Sequence, residues 1–295
     1  MTWTRLALAL LLWIPQENKP IPGIGPAGEI VKLHTGFKFT EGPAADAEGN
    51  VYFSDIPSNR IHKVDLEGKL STFLENSEGA NGLMFDALGR LVACQGGSGR
   101  MVAIGVADQK ITVLAEKMAE KGKPNDLVID AAGGVYFTDP GEKSVYYVTA
   151  DGKASTVLGD MPRPNGVILS PDEKTLVVLP SGSPDVMAYP VTAPGKVGAG
   201  KVFCKLEQAA QGNPRGGDGL TVDTKGNFYF TQPSLGAIQV VSPEGKTLGL
   251  IKIPEGPSNC TFGGKDMKTL FVTARTSLYA VKMEATGHRF APLRK

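Results

Sequence analysis

Cysteine is scarce in this chain of 295 residues: Cys94, Cys204 and Cys260 are the only ones, and they are far apart. That excludes a disulfide framework and a close-spaced zinc knuckle, and all three read as buried thiols. Histidine is equally scarce. His34, His62 and His288 are all there are, which argues against a multi-histidine zinc site or a histidine-driven triad. Neither sign of charge dominates, with 31 Lys plus Arg against 30 Asp plus Glu and no long block of either. Neither a nucleic-acid groove nor a polybasic membrane tether is therefore expected, and the expected partner is a small molecule. No apolar run is long enough to span a bilayer. The run from Leu6 to Ile14, after Arg5, is nine residues, which suits the apolar region of an export signal. Residues 1–28 read as a signal peptide followed by a proline- and glycine-rich linker, and residues 29–295 as one domain of an exported, periplasmic or secreted protein.

The 37 glycines and 21 prolines punctuate short apolar runs rather than cluster, as in a turn-rich β protein. Aligned to itself at about 40 residues, the chain repeats one phrase six times, and such a period signals a repeat architecture. The copies begin Thr40-Glu41-Gly42-Pro43, Ala80-Asn81-Gly82-Leu83, Pro124-Asn125-Asp126-Leu127, Pro164-Asn165-Gly166-Val167, Gly217-Asp218-Gly219-Leu220 and Ser258-Asn259-Cys260-Thr261. Each runs through a short strand into a tight turn such as Asp46-Ala47-Glu48-Gly49-Asn50 or Asp223-Thr224-Lys225-Gly226-Asn227, where Asp, Asn and Gly supply side-chain bonds and positive φ. Second strands such as Val51-Tyr52-Phe53, Val135-Tyr136-Phe137 and Phe228-Tyr229-Phe230 are continuously apolar, so both of their faces should be buried between stacked sheets. Four short strands per unit and six units predict an all-β, six-bladed β-propeller. The last unit lacks a clear fourth strand after Ser277-Leu278-Tyr279-Ala280-Val281, while Glu29-Ile30-Val31-Lys32-Leu33 stands alone before the first. The N-terminal strand is expected to complete the final blade and cover its open edge.

First strands lie innermost in a propeller, so Glu41, Asn81, Asn125, Asn165, Asp218 and Asn259 should face one end of the axial channel. All bear side-chain oxygen. Hard oxygens with two negative charges suit a divalent cation of the calcium or magnesium kind, and a flexible oxygen cage favours calcium. Asn or Asp beside Gly is equally an ordinary turn signal. Glu41, however, is a poor turn residue, and carboxylates gathered without a cation repel each other. Second strands return to the same end, which puts Asp55, Cys94 with Gln95, Asp139, Pro180 with Ser181, Gln232 and Arg275 on the rim. Asp55 and Asp139 there are either site residues or strand-end caps. Lys123, just before Pro124-Asn125, sits at the mouth, where it either binds an anionic or hydroxylated substrate or is simply solvated.

At these residues the sequence resembles the senescence-marker-protein, gluconolactonase and luciferin-regenerating-enzyme family, also called regucalcin-like, over about residues 36 to 285. Glu41-Gly42-Pro43, Asn125-Asp126, Pro164-Asn165-Gly166 and Asp218-Gly219 carry the resemblance, in order and spacing. It implies one divalent cation held by Glu41, Asn165 and Asp218, with Asn125 beside it as ligand or substrate contact; calcium is expected, with magnesium, zinc or manganese as alternatives. It also implies lactone hydrolysis, the cation polarising the carbonyl while Asp218 assists water attack or proton transfer. Mammalian-type members carry arginine where Lys123 falls, and lysine lacks the planar fork, so their sugar-lactone specificity does not carry over. Leu179-Pro180-Ser181-Gly182 also departs from the family's commoner alanine-aspartate pair. Two other functions fit the same ring: a phosphotriester or phosphofluoridate hydrolase, and a non-catalytic propeller that binds a sugar or protein with the cation as a brace.

Overall fold

The computed structural model describes residues 18–212 and 215–290. The export signal expected over Arg5 to Ile14 lies outside the described residues. The chain folds into six antiparallel sheets, the blades of a six-bladed β-propeller. Their inner strands are Thr40–Ala45, Ala80–Phe85, Leu127–Ile129, Pro164–Leu169, Leu220–Val222 and Pro257–Gly263. Among the described residues the only helix is the 3-10 turn Ile56–Ser58, and no helix is long and apolar enough to cross a membrane.

The turn of the repeated phrase is built the same way in four of the blades. In the turn after the first inner strand, Asp46 Oδ1 accepts from the backbone N–H of Gly49 at 2.9 Å and of Asn50 at 2.8 Å. Asp86, Asp130 and Asp223 accept in the same way from Arg90, Gly134 and Asn227. In the fourth blade Ser170 Oγ takes over, accepting from Thr175 N at 3.0 Å. These bonds satisfy amides that the short hairpins leave unpaired. Second strands Val51–Asp55, Leu91–Gln95, Val135–Asp139 and Phe228–Gln232 are buried at every position, as their unbroken apolar runs require. Outer strands such as Ile111–Ala115 and Ala154–Leu158 are exposed along much of their length.

Neighbouring blades are stitched near the axis by second-strand hydroxyls. Ser54 Oγ donates to Asn81 O at 2.7 Å, Thr138 Oγ1 to Asn165 O, and Thr231 Oγ1 to Ser258 O at 2.8 Å. Ser258 Oγ donates across the last seam to Thr40 O at 2.7 Å, linking sixth blade to first.

Ile30–Thr35 pairs antiparallel with Ser277–Lys282 and is the outer strand of the sheet formed by Pro257–Gly263, Thr269–Ala274 and Ser277–Lys282. Lys32 reaches Glu255 at 3.1 Å across this sheet. The stretch before it, expected as linker, is docked over its described part. Ile21 and Ile24 are buried among Ile238, Val240, Ile251, Val281 and Met283, and the Asn18 side chain bonds both N and O of Lys252. The glycines and prolines of this stretch hide two isoleucines that have a core to enter. Removing residues 1–35 should therefore bare the edge of Ser277–Lys282 and the core surface under Ile21 and Ile24 together. The expected loss is several kcal/mol, a fall in melting temperature of about 10 °C. Calorimetry of the truncated chain checks this, and an unchanged midpoint would reject it.

Candidate active site

The dipeptides that resemble turn signals are not turns. In four blades the ring residue is followed by a glycine on the inner strand, where the neighbouring blade leaves no room for a side chain. A Cβ on Gly42, itself at φ +47, would run into Asn81 O, and one on Gly82 would lie 2.6 Å from both Asn125 O and Asp126 Oδ1. Backbone bonds fill the space instead: Gly82 N donates to Asn125 O at 2.8 Å, Gly166 N to Asp218 O at 2.9 Å and Gly219 N to Ser258 O at 2.7 Å. Close packing of inner strands thus fixes these glycines and, one residue earlier, the ring.

The third and sixth blades break the pattern, with Asp126 and Cys260 in the glycine's place. Asp126, which sequence reasoning passed over in favour of Asn125, is buried on the axis. Asn259 Nδ2 donates to both its carboxylate oxygens at 3.0 and 3.1 Å from the opposite blade, while Asn259 Oδ1 accepts from Cys260 N at 2.8 Å. The signal was present: a carboxylate stood where four sibling units have glycine.

Three carboxylates, from the first, third and fifth blades, therefore converge. Glu41 is buried, with Oε2 accepting from Gly42 N at 3.0 Å. Its carboxyl is held well above the usual range by burial and by the charges of Asp218 and Asp126. Burial pushes Asp126 up to about 8, with Asp218 adding repulsion and Asn259 opposing it. Burial raises Asp218 to about 7 against the pull of an Asn165 hydrogen bond. The amides of Asn81, Asn165 and Asn259 come from the alternate blades, and Asn81 Oδ1 is buried with no hydrogen-bond partner among the described residues. Asn125 is half-buried, its N donating to Thr138 O at 2.8 Å. Lys123 is exposed beside it, with its backbone N–H held by Asp139 Oδ2 at 2.6 Å.

The rim residues prove to be fasteners. Asp55 accepts from the N–H groups of Lys38 and Phe39, and Asp139 from those of Lys123, Gly141 and Glu142. Gln95 Nε2 donates to Ser77 O and Gln232 Nε2 to Gln239 Oε1. Cys94, Cys204 and Cys260 are free, buried thiols. A cavity of about 340 Å³ lies on the other side of the Asp126–Asn259 bridge, lined by Ala44, Leu83, Leu127, Val167, Ile168 and Phe262. Asp126 and Asn259 form part of its lining, whereas Glu41, Asn81, Asn125, Asn165 and Asp218 do not.

No three His, Cys, Asp or Glu side chains among the described residues form a metal cluster by themselves. A cation here would need amide oxygens as well, which Asn165 and the unpartnered Asn81 can supply. The mutually raised carboxylates and that orphaned acceptor are what a hard divalent ion would satisfy, so the residues fit one.

Residues 39–276 match the family model described as the SMP-30/Gluconolactonase/LRE-like region. The chain belongs to this family. The match includes every ring residue from Glu41 to Asn259. Gluconolactonase of Zymomonas mobilis subsp. mobilis is 29% identical, over 88% of this chain and 82% of that protein. The 6-deoxy-6-sulfogluconolactonase of Pseudomonas putida is 28% identical, over 76% and 78%. Among solved structures, a gluconolactonase from Xanthomonas campestris superimposes with a TM-score of 0.76 at 28% identity, covering 86% of this chain and 89% of that one. This chain is a gluconolactonase-like enzyme.

The raised carboxylates have a consequence for stability. Their folded-state pKa values lie above the unfolded ones, so between the two the folded state binds more protons and stability falls as pH rises. Chelated protein should lose melting temperature from about pH 4 toward pH 8, and Asp126→Asn should flatten that slope. Midpoints recorded in chelator across this range check the sign; a flat or rising wild-type profile contradicts it.

Proposed function

We propose that the protein hydrolyses a small lactone at the ring end of the axial channel, with a divalent cation, calcium first, held by Glu41, Asn165 and Asp218. The observation that carries this reading is the meeting of Glu41, Asp126 and Asp218 with amides of the alternate blades at that end, buried enough to raise all three carboxyl groups. The relatives support the substrate class, since they are named for lactone hydrolysis.

When bound, the cation supplies Lewis-acid polarisation of the lactone carbonyl and offsets the carboxylate repulsion. Asp218 accepts the proton of the attacking water as its oxygen bonds to the carbonyl carbon. The ring C–O bond then breaks, and the proton passes from Asp218 to the departing alkoxide, leaving a hydroxy acid. Asn165, beside Asp218 on the adjacent blade, orients it. Asn125 and Lys123 contact the substrate from the third blade. Asp126, gripped at both oxygens by Asn259, cannot swing into the mouth and stays beneath it.

Asp218→Asn keeps the shape and an oxygen ligand but removes the base, so kcat on aldonolactones should fall by about 10²- to 10⁴-fold. Glu41→Gln should instead weaken divalent-cation affinity, with activity restored by excess metal. A pH-stat assay of both variants, with and without chelator, decides; full turnover by Asp218→Asn would reject the mechanism.

A further inference from the structure

The charge balance of the whole chain breaks down at the mouth. In the three residues before each ring position the charged side chains are Lys38, Glu78, Lys123, Arg163 and Arg215: four cations and one acid, in a chain with 31 basic and 30 acidic residues. All four cations are exposed, and none takes part in an ion pair among the described residues. Three of them sit on successive blades, and two share one phrase, Lys123-Pro124-Asn125 and Arg163-Pro164-Asn165.

Their backbones are held while their side chains are left free. Asp139 Oδ2 accepts from Lys123 N at 2.6 Å, and Arg163 O accepts from Ser181 N at 2.9 Å and Ser181 Oγ at 3.2 Å. Gln208 grips Arg215 at both ends, Oε1 accepting from its N–H at 2.7 Å and Nε2 donating to its O at 3.1 Å. Arg163 is pinned at φ +58, a conformation that arginine rarely adopts unaided. Ordered backbone with unpaired guanidinium groups suits recognition of an oxyanion, because arginine's fork binds such groups bidentately.

We infer that Arg163 and Arg215, together with Lys123, form an anion subsite for a phosphate- or sulfonate-like group on the substrate, remote from the carbonyl that reacts. This deepens the lactonase reading and rests on it. Lys123 and Arg163 precede their ring residues by two positions and Arg215 by three, and all three are exposed, so these cations stand outward of the ring, on the side away from the reacting carbonyl. The preferred substrate is then an aldonolactone that carries an oxyanion on its far carbon.

The test compares 6-phosphoglucono-1,5-lactone with neutral glucono-1,5-lactone on the cation-loaded, full-length protein. The phosphorylated lactone should have the higher kcat/KM by tenfold or more, with the difference in KM. That advantage should shrink as ionic strength rises from about 0.02 to 0.3 M. Arg163→Gln/Arg215→Gln should cut the preference by about tenfold, and Arg163→Lys should keep part of it. Calorimetry with the open-chain products, 6-phosphogluconate against gluconate, reads the subsite without turnover. If no lactone is hydrolysed but 6-phosphogluconate binds more tightly, and the double variant loses that advantage, the hydrolase reading falls and the subsite stands. Equal handling of the charged and neutral compounds by the wild type, or a preference that survives the double variant, overturns the subsite.

Discussion

Everything at the functional end of this propeller follows from how closely six inner strands can approach one axis. Where Gly42, Gly82, Gly166 and Gly219 stand, the adjacent blade comes within contact of the backbone, and three of these glycines donate their N–H groups across the seam. Any side chain at those positions would push two blades apart. The residue just before each glycine is thereby fixed at the channel end with its backbone committed to packing, so its side chain is the only part free to vary. A ring of oxygen ligands is what such a scaffold offers at little structural cost. The scaffold needs glycine after the ring residue, and chemistry needs only the ring residue.

The same crowding makes the ring electrostatically tense. Glu41, Asp126 and Asp218 lie where desolvation and mutual repulsion disfavour the charged forms, and no arginine or lysine forms an ion pair with any of them among the described residues. Asn259 relieves Asp126 with two hydrogen bonds, but one amide cannot neutralise three carboxyl groups. Either protons or a cation must complete the set. An arrangement that pays this penalty is hard to explain as packing, because apolar side chains would fill the axis more cheaply.

Much of the fold was legible because a propeller writes itself as a period. The turn aspartates, the continuous apolar second strands and the ring phrase recur at nearly constant spacing, and each recurrence has a local cause visible in the structure. Two features escaped. Ile21 and Ile24 belong to a stretch whose composition reads as linker, and only the three-dimensional core between the fifth and sixth blades shows where they go. Asp126 escaped because its neighbour Asn125 matched the ring, and attention to the repeating position concealed the departure one residue later. On the rim the sequence left two readings open: Asp55 and Asp139 occur where either site residues or strand-end caps would be, and their oxygens are occupied by backbone amides.

That occupation is itself informative. A buried carboxylate that accepts two or three backbone N–H groups contributes order to a loop without offering a charge to a ligand. Asp55 orders the approach to Lys38, and Asp139 the approach to Lys123. These two acids are thus turned inward and consumed, while Lys38 and Lys123, which they hold in place, face water. Sequence-wide charge counting cannot see this, because it weighs a fully hydrogen-bonded aspartate and a free lysine equally. The potential a substrate meets depends on which charges remain unpaired, and by that measure an almost neutral protein presents a basic mouth above an acidic floor. Such a gradient would draw an anionic substrate to the rim and leave its electrophilic carbonyl toward the ring. A neutral lactone would have no comparable reason to arrive in that orientation.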